Sequence, residues 1–155
     1  MASSTLGDSL GAEVSKLKEF IVLLKREQDF LKAGDTESLL PLIDTKTLLS
    51  NALAGYAAER ESALRQLGLQ TGRSGMEDWL QRHGQAPHQQ AWQTLLVLAS
   101  EARELNILNG KLIGLHMSHN QQAFNALMGA TNRAMTYGPD GQQHTGGGGR
   151  ILGTA

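Results

Sequence analysis

The chain has 155 residues, the length of one ordinary domain, and contains no cysteine. The lack of cysteine excludes a disulfide scaffold, a cysteine-ligated zinc site and thiol catalysis. A formal net charge of -1 gives no electrostatic reason to expect nucleic acid or an anionic membrane as partner. Because aromatic residues make up only 5% of a chain rich in leucine and alanine, the composition favours helices over a β-sandwich or barrel.

The first predicted helix covers residues 3–32. Its apolar residues recur in alternating steps of four and three, the a/d seam of a helix that packs lengthwise against others; they are Leu10, Val14, Leu17, Ile21, Leu24 and Leu31. Charges of both signs, Glu13 and Glu27 among them, lie outside this seam, so we expect them on a solvated face. Gly34 suits the end of this helix, and the polar residues 35–36 suit the N-cap of the next.

A second long helix is predicted to begin at Pro41, after a short helical turn over 37–40, because proline is tolerated in the first position of a helix. Lys46 and Arg60 interrupt its apolar seam, which consists of Leu42, Leu49, Leu53, Tyr56, Ala63 and Leu67. Three glycines between residues 68 and 75 predict a mobile turn after it.

Beyond this turn, one or two helical turns are predicted over 76–80, capped by Ser74. A third long helix is predicted over 88–135, about 48 residues or roughly 70 Å in length. Three long helices with seams imply an all-α fold, an elongated antiparallel bundle of three or four long helices. Segment 138–155 is rich in glycine and poor in apolar residues, so we expect a flexible tail after a helical domain over 1–137.

Membrane insertion and secretion are not expected. Segment 112–132 has no charged side chain and is long enough to span a bilayer, but its histidine, serine, asparagine and glutamine side chains would be costly in hydrocarbon. The N-terminus lacks the basic and apolar regions of a signal peptide. The expected location is therefore the cytoplasm.

No catalytic, metal or cofactor site is predicted. His116 and His119 could face one metal ion from one side of a helix, but a third and a fourth ligand are missing. The glycine run 146–149 followed by Arg150 lacks the Gly-Lys-Ser/Thr ending of a phosphate-binding loop. Because no nucleophile elbow is present either, we expect a protein that is not an enzyme.

Three neighbouring residues of the third helix, Asn106, Asn109 and Gly110, need an explanation. Asn109 lies on the apolar seam, where a buried amide costs stability but fixes register. Gly110 inside a helix costs about 1 kcal/mol relative to alanine, so a packing or functional reason is required. The simpler interpretation is a polar core layer beside a close helix crossing.

The uncharged segment also has a second apolar stripe, about 100° around the helix from the core seam. Its members are Ile113, Met117, Phe124, Met128 and Met135. Since one face suffices for packing in a three-helix bundle, the second stripe predicts either a binding face for an amphipathic partner segment or a wider core beneath the connection 68–87. With Asn120 and Leu127, these residues form the predicted partner-binding face.

An ordered set of short motifs resembles the FlgN family of flagellar type III export chaperones. An Asn-x-x-Asn-Gly element occupies 106–110, and a Tyr-Gly-x-x-Gly element over 137–141 precedes a glycine-rich polar tail. Three further features are similar to the family: the leucine-rich first helix, the segment 35–39 that runs from polar residues to leucine, and Lys46 ahead of two leucines. The resemblance therefore covers nearly the whole chain.

This resemblance implies a cytoplasmic, non-enzymatic chaperone. It would bind the hook–filament junction proteins FlgK and FlgL, prevent their premature assembly and deliver them to the flagellar export gate. It also implies that the C-terminal region binds the substrate protein and that Tyr137 contacts the export gate. From the residues alone, the alternative is a structural coiled-coil protein that acts by self-association into a homo-oligomer.

Overall fold

The structure is a computed structural model that describes the backbone of residues 2–116 and 121–135 and the side chains of 6–116 and 125–134. Within these ranges the chain is all-α, which confirms the predicted fold class. The helices are α1 (Ala2–Ala33), α2 (Thr36–Gln66), α3 (Gly72–His83), α4 (Ala86–His116) and α5 (Gln121–Met135). The expected tail and the boundary at residue 137 lie outside the described residues.

Helix α1 is the central helix of the bundle, because the two most extensive helix–helix contacts in the structure are those of α1 with α4 and with α2. It runs antiparallel to α2, as the buried ion pairs Glu13–Arg60 and Glu27–Lys46 show. It runs parallel to α4, since Gly7 lies against His88 near one end and Asn109 donates a hydrogen bond to the Leu24 carbonyl near the other. Helix α5 packs on both α2 and α4.

The single third helix predicted over 88–135 is wrong. Helix α4 ends at His116, and α5 packs back against it and against α2. The amide of Asn106 donates to the carbonyl of Thr131 at 3.0 Å, whereas in one continuous helix residues 25 apart would be separated by about 37 Å. The 3.6-residue apolar pattern continues through both helices, so periodicity alone does not reveal the reversal.

The predicted start of the second helix at Pro41 is also wrong. Helix α2 begins at Thr36, because Asp35 caps it by accepting a hydrogen bond from the Ser38 backbone N–H at 3.2 Å. Pro41 therefore lies inside the helix. Both Pro41 and Glu37 are exposed, so the Glu37 carbonyl that loses its helical donor lies on the solvent side.

Helix α3 is longer than the one or two turns predicted over 76–80. Its N-cap is Thr71 rather than Ser74, and the carboxylate of Glu61 accepts hydrogen bonds from the Gly72 N–H at 3.0 and 3.1 Å. A carboxylate at a helix N-terminus is favourable, but it comes from α2, eleven residues earlier in the chain. Local sequence therefore could not place this helix start.

The first two helix ends follow their sequence signals. Gly34 has φ +69° and Gly68 has φ +73°, the left-handed region that favours glycine. After α2, the Leu69 N–H donates to the Leu64 carbonyl at 3.0 Å and the Gly68 N–H donates to the Arg65 carbonyl at 3.0 Å. These bonds form a Schellman motif that satisfies the last helical carbonyls.

The core contains one large and one small apolar cluster. The large one joins α1, α2, α3 and α4 around Trp79, Trp92 and the leucine seam of α1, and it includes Ala134 of α5. The small one joins Leu31, Leu39, Ile113 and Leu127, one residue from each of α1, α2, α4 and α5. Helix α5 is therefore held at the end of the bundle where α1 ends and α2 begins.

No helix of the described ranges is long and apolar enough to cross a membrane.

Candidate functional site

Four buried polar side chains, one from each of α1, α2, α4 and α5, meet in one layer of the bundle. Lys46 Nζ donates to Glu27 Oε1 at 3.0 Å and Oε2 at 3.1 Å, and to Thr131 Oγ1 at 3.1 Å. Asn109 Nδ2 donates to Glu27 Oε1 at 2.9 Å. We call Glu27, Lys46, Asn109 and Thr131 the Lys46 layer. It connects the short helix α5 to the three long helices.

The charges of the Lys46 layer are shielded from water. The side chains of both Lys46 and Glu27 are 0% exposed. Burial lowers the pKa of the Lys46 ammonium, while the neighbouring Glu27 carboxylate opposes this shift. The pair is retained inside the bundle because the ammonium and the carboxylate compensate each other and are further hydrogen-bonded.

The expectation that Glu13 and Glu27 lie on a solvated face is wrong, because both are buried. Each forms an ion pair with a basic residue on the inward seam of α2, Glu13 with Arg60 and Glu27 with Lys46. The partners are 47 and 19 residues apart in sequence, so the pattern of one helix could not reveal the pairing. The interruptions of the α2 seam by Lys46 and Arg60 are the sequence signal for these two buried ion pairs.

The second buried ion pair has a different third partner. Arg60 Nη1 donates to both carboxylate oxygens of Glu13, and the guanidinium carbon is 5.5 Å from the centroid of the Trp92 ring. A guanidinium over an indole face is stabilised by the ring quadrupole. We call Glu13, Arg60 and Trp92 the Arg60 layer. It joins α1, α2 and α4 without α5.

Asn106 and Gly110 lie where α4 crosses α5. Asn106 Nδ2 donates to the Thr131 carbonyl at 3.0 Å, and Asn106 is buried. A Cβ atom at Gly110 would lie 3.4 Å from Thr131 Cγ2, so the two helices approach closely at this point. With Asn109 in the Lys46 layer, the Asn-x-x-Asn-Gly element lies at the polar contact between α4, α5 and α1.

The described members of the predicted partner-binding face belong to two helices that pack on each other, α4 and α5. Ile113 and Leu127 are buried with Leu31 and Leu39, and Met128 is partly buried against the same cluster. This cluster lies between helices rather than under the connection 68–87. Met117, Asn120 and Tyr137 lie outside the described residues, as do the side chains of Phe124 and Met135.

The outer side of α4 has an apolar stripe that sequence analysis missed. Val97, Leu108 and Leu115 are exposed, with Leu115 at 76%, although they are large apolar residues. Their separations of eleven and seven residues place them on one side of the helix. The helical spacing of these three residues, eleven and seven apart, was the available signal, but the stronger core seam obscured it.

A surface cleft of about 300 Å³ lies between α3 and α4, lined by Arg73, Glu77, Leu80, Gln81, Gln89, Trp92, Gln93 and Leu96. Its lining mixes apolar, amide and charged side chains. Within the described part of the chain, no group of three or more His, Asp or Glu residues is arranged to hold a metal ion.

Comparison with known proteins points to one family. The family model described as FlgN protein matches residues 1–145. The chain is similar to the Flagella synthesis protein FlgN of Yersinia enterocolitica, with 26% identity over 91% of this chain and 90% of that protein. It is also similar to the Flagella synthesis protein FlgN of Proteus mirabilis, with 28% identity over 88% of each chain. No solved structure gives a significant match.

Proposed function

Because the chain belongs to the FlgN family, we propose that it is a cytoplasmic export chaperone for the hook–filament junction proteins FlgK and FlgL. It binds them, prevents premature assembly and delivers them to the flagellar export gate. The observation that carries the proposal is the family match over residues 1–145. Relatives named as flagella synthesis proteins, aligned over about nine tenths of the chain, support it. The role involves no catalysis and no cofactor.

The proposed substrate-binding region is the C-terminal part of the helical domain. It consists of the residues predicted for the partner-binding face: Ile113, Met117, Asn120, Phe124, Leu127, Met128 and Met135. Apolar side chains suit the amphipathic helical segments through which filament-type proteins assemble. Burial of several hundred Å² of apolar surface gives a gross gain of several kcal/mol, at about 25 cal/mol per Å², before ordering costs.

Substrate binding is tested by light scattering after size exclusion, with the purified chain alone and mixed with purified FlgK or FlgL. We expect a complex whose mass equals the sum of one chaperone and one junction protein. Absence of a complex with either protein at micromolar concentrations contradicts the chaperone role.

A second candidate function is self-association, which the exposed apolar stripe of Val97, Leu108 and Leu115 favours. The light-scattering measurement described for substrate binding distinguishes self-association from the chaperone role. Self-association predicts a stable dimer mass for the chain alone, lost in a Leu108→Ser/Leu115→Ser variant, and no change when FlgK is added.

We also propose that Tyr137 contacts the export gate. An aromatic side chain with a hydroxyl combines apolar contact area with a hydrogen bond, which suits a small recognition site. A Tyr137→Ala variant should lose affinity for the export gate and keep its affinity for FlgK. Tyr137→Phe is the control for the ring alone, and full gate binding by Tyr137→Ala would overturn the role.

A further inference from the structure

Over its described side chains, residues 125–134, helix α5 contacts the bundle mostly through small buried residues, with Met128 partly buried beside them. Its buried residues Leu127, Ala130, Thr131 and Ala134 are spaced i, i+3, i+4 and i+7, so they lie on one face. Only Leu127 among them is a large apolar residue. Because hydrophobic stabilisation scales with buried apolar area, α5 is held less strongly than a helix with leucines at these positions.

The groove beneath α5 has an apolar part and a polar part. Leu31, Leu39 and Ile113 form the apolar part, against Leu127. Lys46 and Asn106 form the polar part, and both donate hydrogen bonds to Thr131, one to its hydroxyl and one to its carbonyl. The groove therefore presents an apolar pocket and, beside it, two hydrogen-bond donors.

Removal of α5 from this groove leaves no buried charge without a partner. Lys46 keeps both hydrogen bonds to the Glu27 carboxylate, and Glu27 keeps the hydrogen bond from Asn109. Thr131 contributes only a neutral hydroxyl to the ammonium. Since breaking a buried ion pair is what makes such a separation very costly, the departure of α5 avoids the largest penalty.

The fit of α5 to the groove is also incomplete. Asn106 Oδ1 is buried and has no hydrogen-bond partner among the described residues, although the same amide donates to α5 through Nδ2. A buried acceptor without a donor is unfavourable, and a helix that supplies a donor at this point would remove the penalty. At this one point of the groove, a helix that supplies a donor would therefore fit better than α5.

From these contacts we propose that the groove filled by α5 is the docking site for an amphipathic helix of the secreted substrate, which enters as α5 leaves. This inference rests on the proposed chaperone function and narrows its binding site: Ile113 stays in the groove and contacts the substrate, whereas Leu127 and Met128 leave with α5. The entering helix presents a large apolar residue to Leu31, Leu39 and Ile113, and a small residue at the crossing with Gly110. Beside these it presents a polar side chain that accepts from Lys46 and donates to Asn106 Oδ1.

A disulfide that fixes α5 in the groove tests the inference in the full chain. The chain has no native cysteine, so a Gly110→Cys/Thr131→Cys variant can form only one intramolecular bond. The geometry suits it, because a Cβ at Gly110 would lie 3.4 Å from Thr131 Cγ2. The oxidised protein, freed of oxidant, is titrated with purified FlgK and with purified FlgL, and the reduced form of the same variant is the control.

We expect the oxidised form to bind the junction protein at least tenfold more weakly than the reduced form. Equal affinity within twofold overturns the docking site but leaves the chaperone function intact. If the reduced variant and the unmodified chain both fail to bind FlgK and FlgL, the proposed function itself fails. The unmodified chain carried through the same oxidation should keep its affinity.

A second variant tests the inference without a new bond. Thr131→Val keeps the shape of the side chain but removes the hydroxyl that accepts from Lys46, so it weakens the docking of α5. Because apparent affinity rises with the fraction of open molecules, junction-protein binding should become about fivefold tighter. Thr45→Val, at an exposed position of α2, is the matched control and should change nothing. Unchanged or weaker binding by Thr131→Val contradicts the inference.

Discussion

The two buried ion pairs of the bundle are separated by the same number of residues on α1 and on α2, but they contact different helices beyond these two. Glu13 and Glu27 are fourteen residues apart on α1, and Lys46 and Arg60 are fourteen residues apart on α2, which is two heptads or about 21 Å. In the Arg60 layer the pair is covered by Trp92 of α4. In the Lys46 layer it is covered by an amide of α4 and a hydroxyl of α5.

The difference indicates that the Arg60 layer is a permanent contact, whereas the contact of the Lys46 layer with α5 is exchangeable. The three residues of the Arg60 layer all lie on long helices, and the guanidinium contacts a carboxylate of α1 and a ring face of α4. In the Lys46 layer the ion pair is complete within α1 and α2, and α5 adds one neutral acceptor. We therefore expect damage to the Arg60 layer to unfold the bundle, and damage at Thr131 to act mainly on α5.

The largest expected effect follows from breaking the Arg60 layer. Glu13→Leu leaves the Arg60 guanidinium buried without its carboxylate, and the free energy of unfolding should fall by about 3–5 kcal/mol. Chemical denaturation measures it. A Glu13→Leu/Arg60→Leu double variant should recover most of this loss. Equal destabilisation of the single and the double variants would contradict this account, because the unpaired guanidinium would then not be the cause of the loss.

A smaller loss is expected when Lys46 is replaced by methionine. Glu27 then loses its ammonium partner but keeps the hydrogen bond from Asn109, so we expect a loss of about 2–3 kcal/mol in the same denaturation experiment. Lys25→Met is the control, since Lys25 forms an exposed pair with Glu101 and should cost less than about 1 kcal/mol. A loss for Lys46→Met as small as for Lys25→Met would contradict the buried pair.

Because the pKa of Lys46 is lowered, the difference in unfolding free energy between the unmodified chain and Lys46→Met should depend on pH. Below its lowered folded-state pKa the ammonium is protonated in the folded and in the unfolded chain, and its desolvation cost is fully present. As pH rises between the lowered folded-state pKa and the unfolded value of 10.5, the unfolded chain binds more protons, so the contribution of Lys46 to stability rises.

The unfolding free energies of the unmodified chain and of Lys46→Met, measured from pH 7 to pH 10.5, should therefore diverge in favour of the unmodified chain. Ionisable groups that do not interact with Lys46 cancel in the difference. A constant or shrinking difference would show that the pKa of Lys46 is not lowered by burial.

The smallest expected effect is at the crossing of α4 and α5. Gly110→Ala should stabilise the chain by up to about 1 kcal/mol, because alanine favours the helix and its Cβ would make an ordinary contact with Thr131 Cγ2. Gly110→Leu should reverse the sign, since the longer side chain forces α5 away. Destabilisation by alanine as well would mean that the crossing is tighter than the 3.4 Å contact indicates.

Sequence patterns predicted helix α1, its apolar seam and its end well. The leucine seam of α1 is buried throughout, and Gly34 and Asp35 end one helix and cap the next as their side chains favour. These features depend on neighbouring residues, so local pattern contains them. The polar layers depend on partners far apart in sequence, and charge pattern alone placed Glu13 and Glu27 on the wrong side of α1.

The reversal between α4 and α5 was missed for a related reason. The residues 117–120 include neither glycine nor proline, and the apolar stripes of α4 and α5 continue with helical spacing. A helix that folds back and a helix that continues need the same amphipathic pattern, so only tertiary contacts distinguish them. The prediction therefore groups Ile113 and Leu127 on one helix, whereas the structure has them on two helices that meet in the small apolar cluster.

The most direct measurement is hydrogen exchange of the backbone amides of α5, compared between the free chain and its complex with FlgK. Displacement of α5 by a substrate helix predicts faster exchange over 121–135 in the complex, while α1 and the Arg60 layer stay protected. Slower exchange over 121–135 on binding would mean that the substrate packs onto a docked α5, and would contradict the exchange of one helix for another.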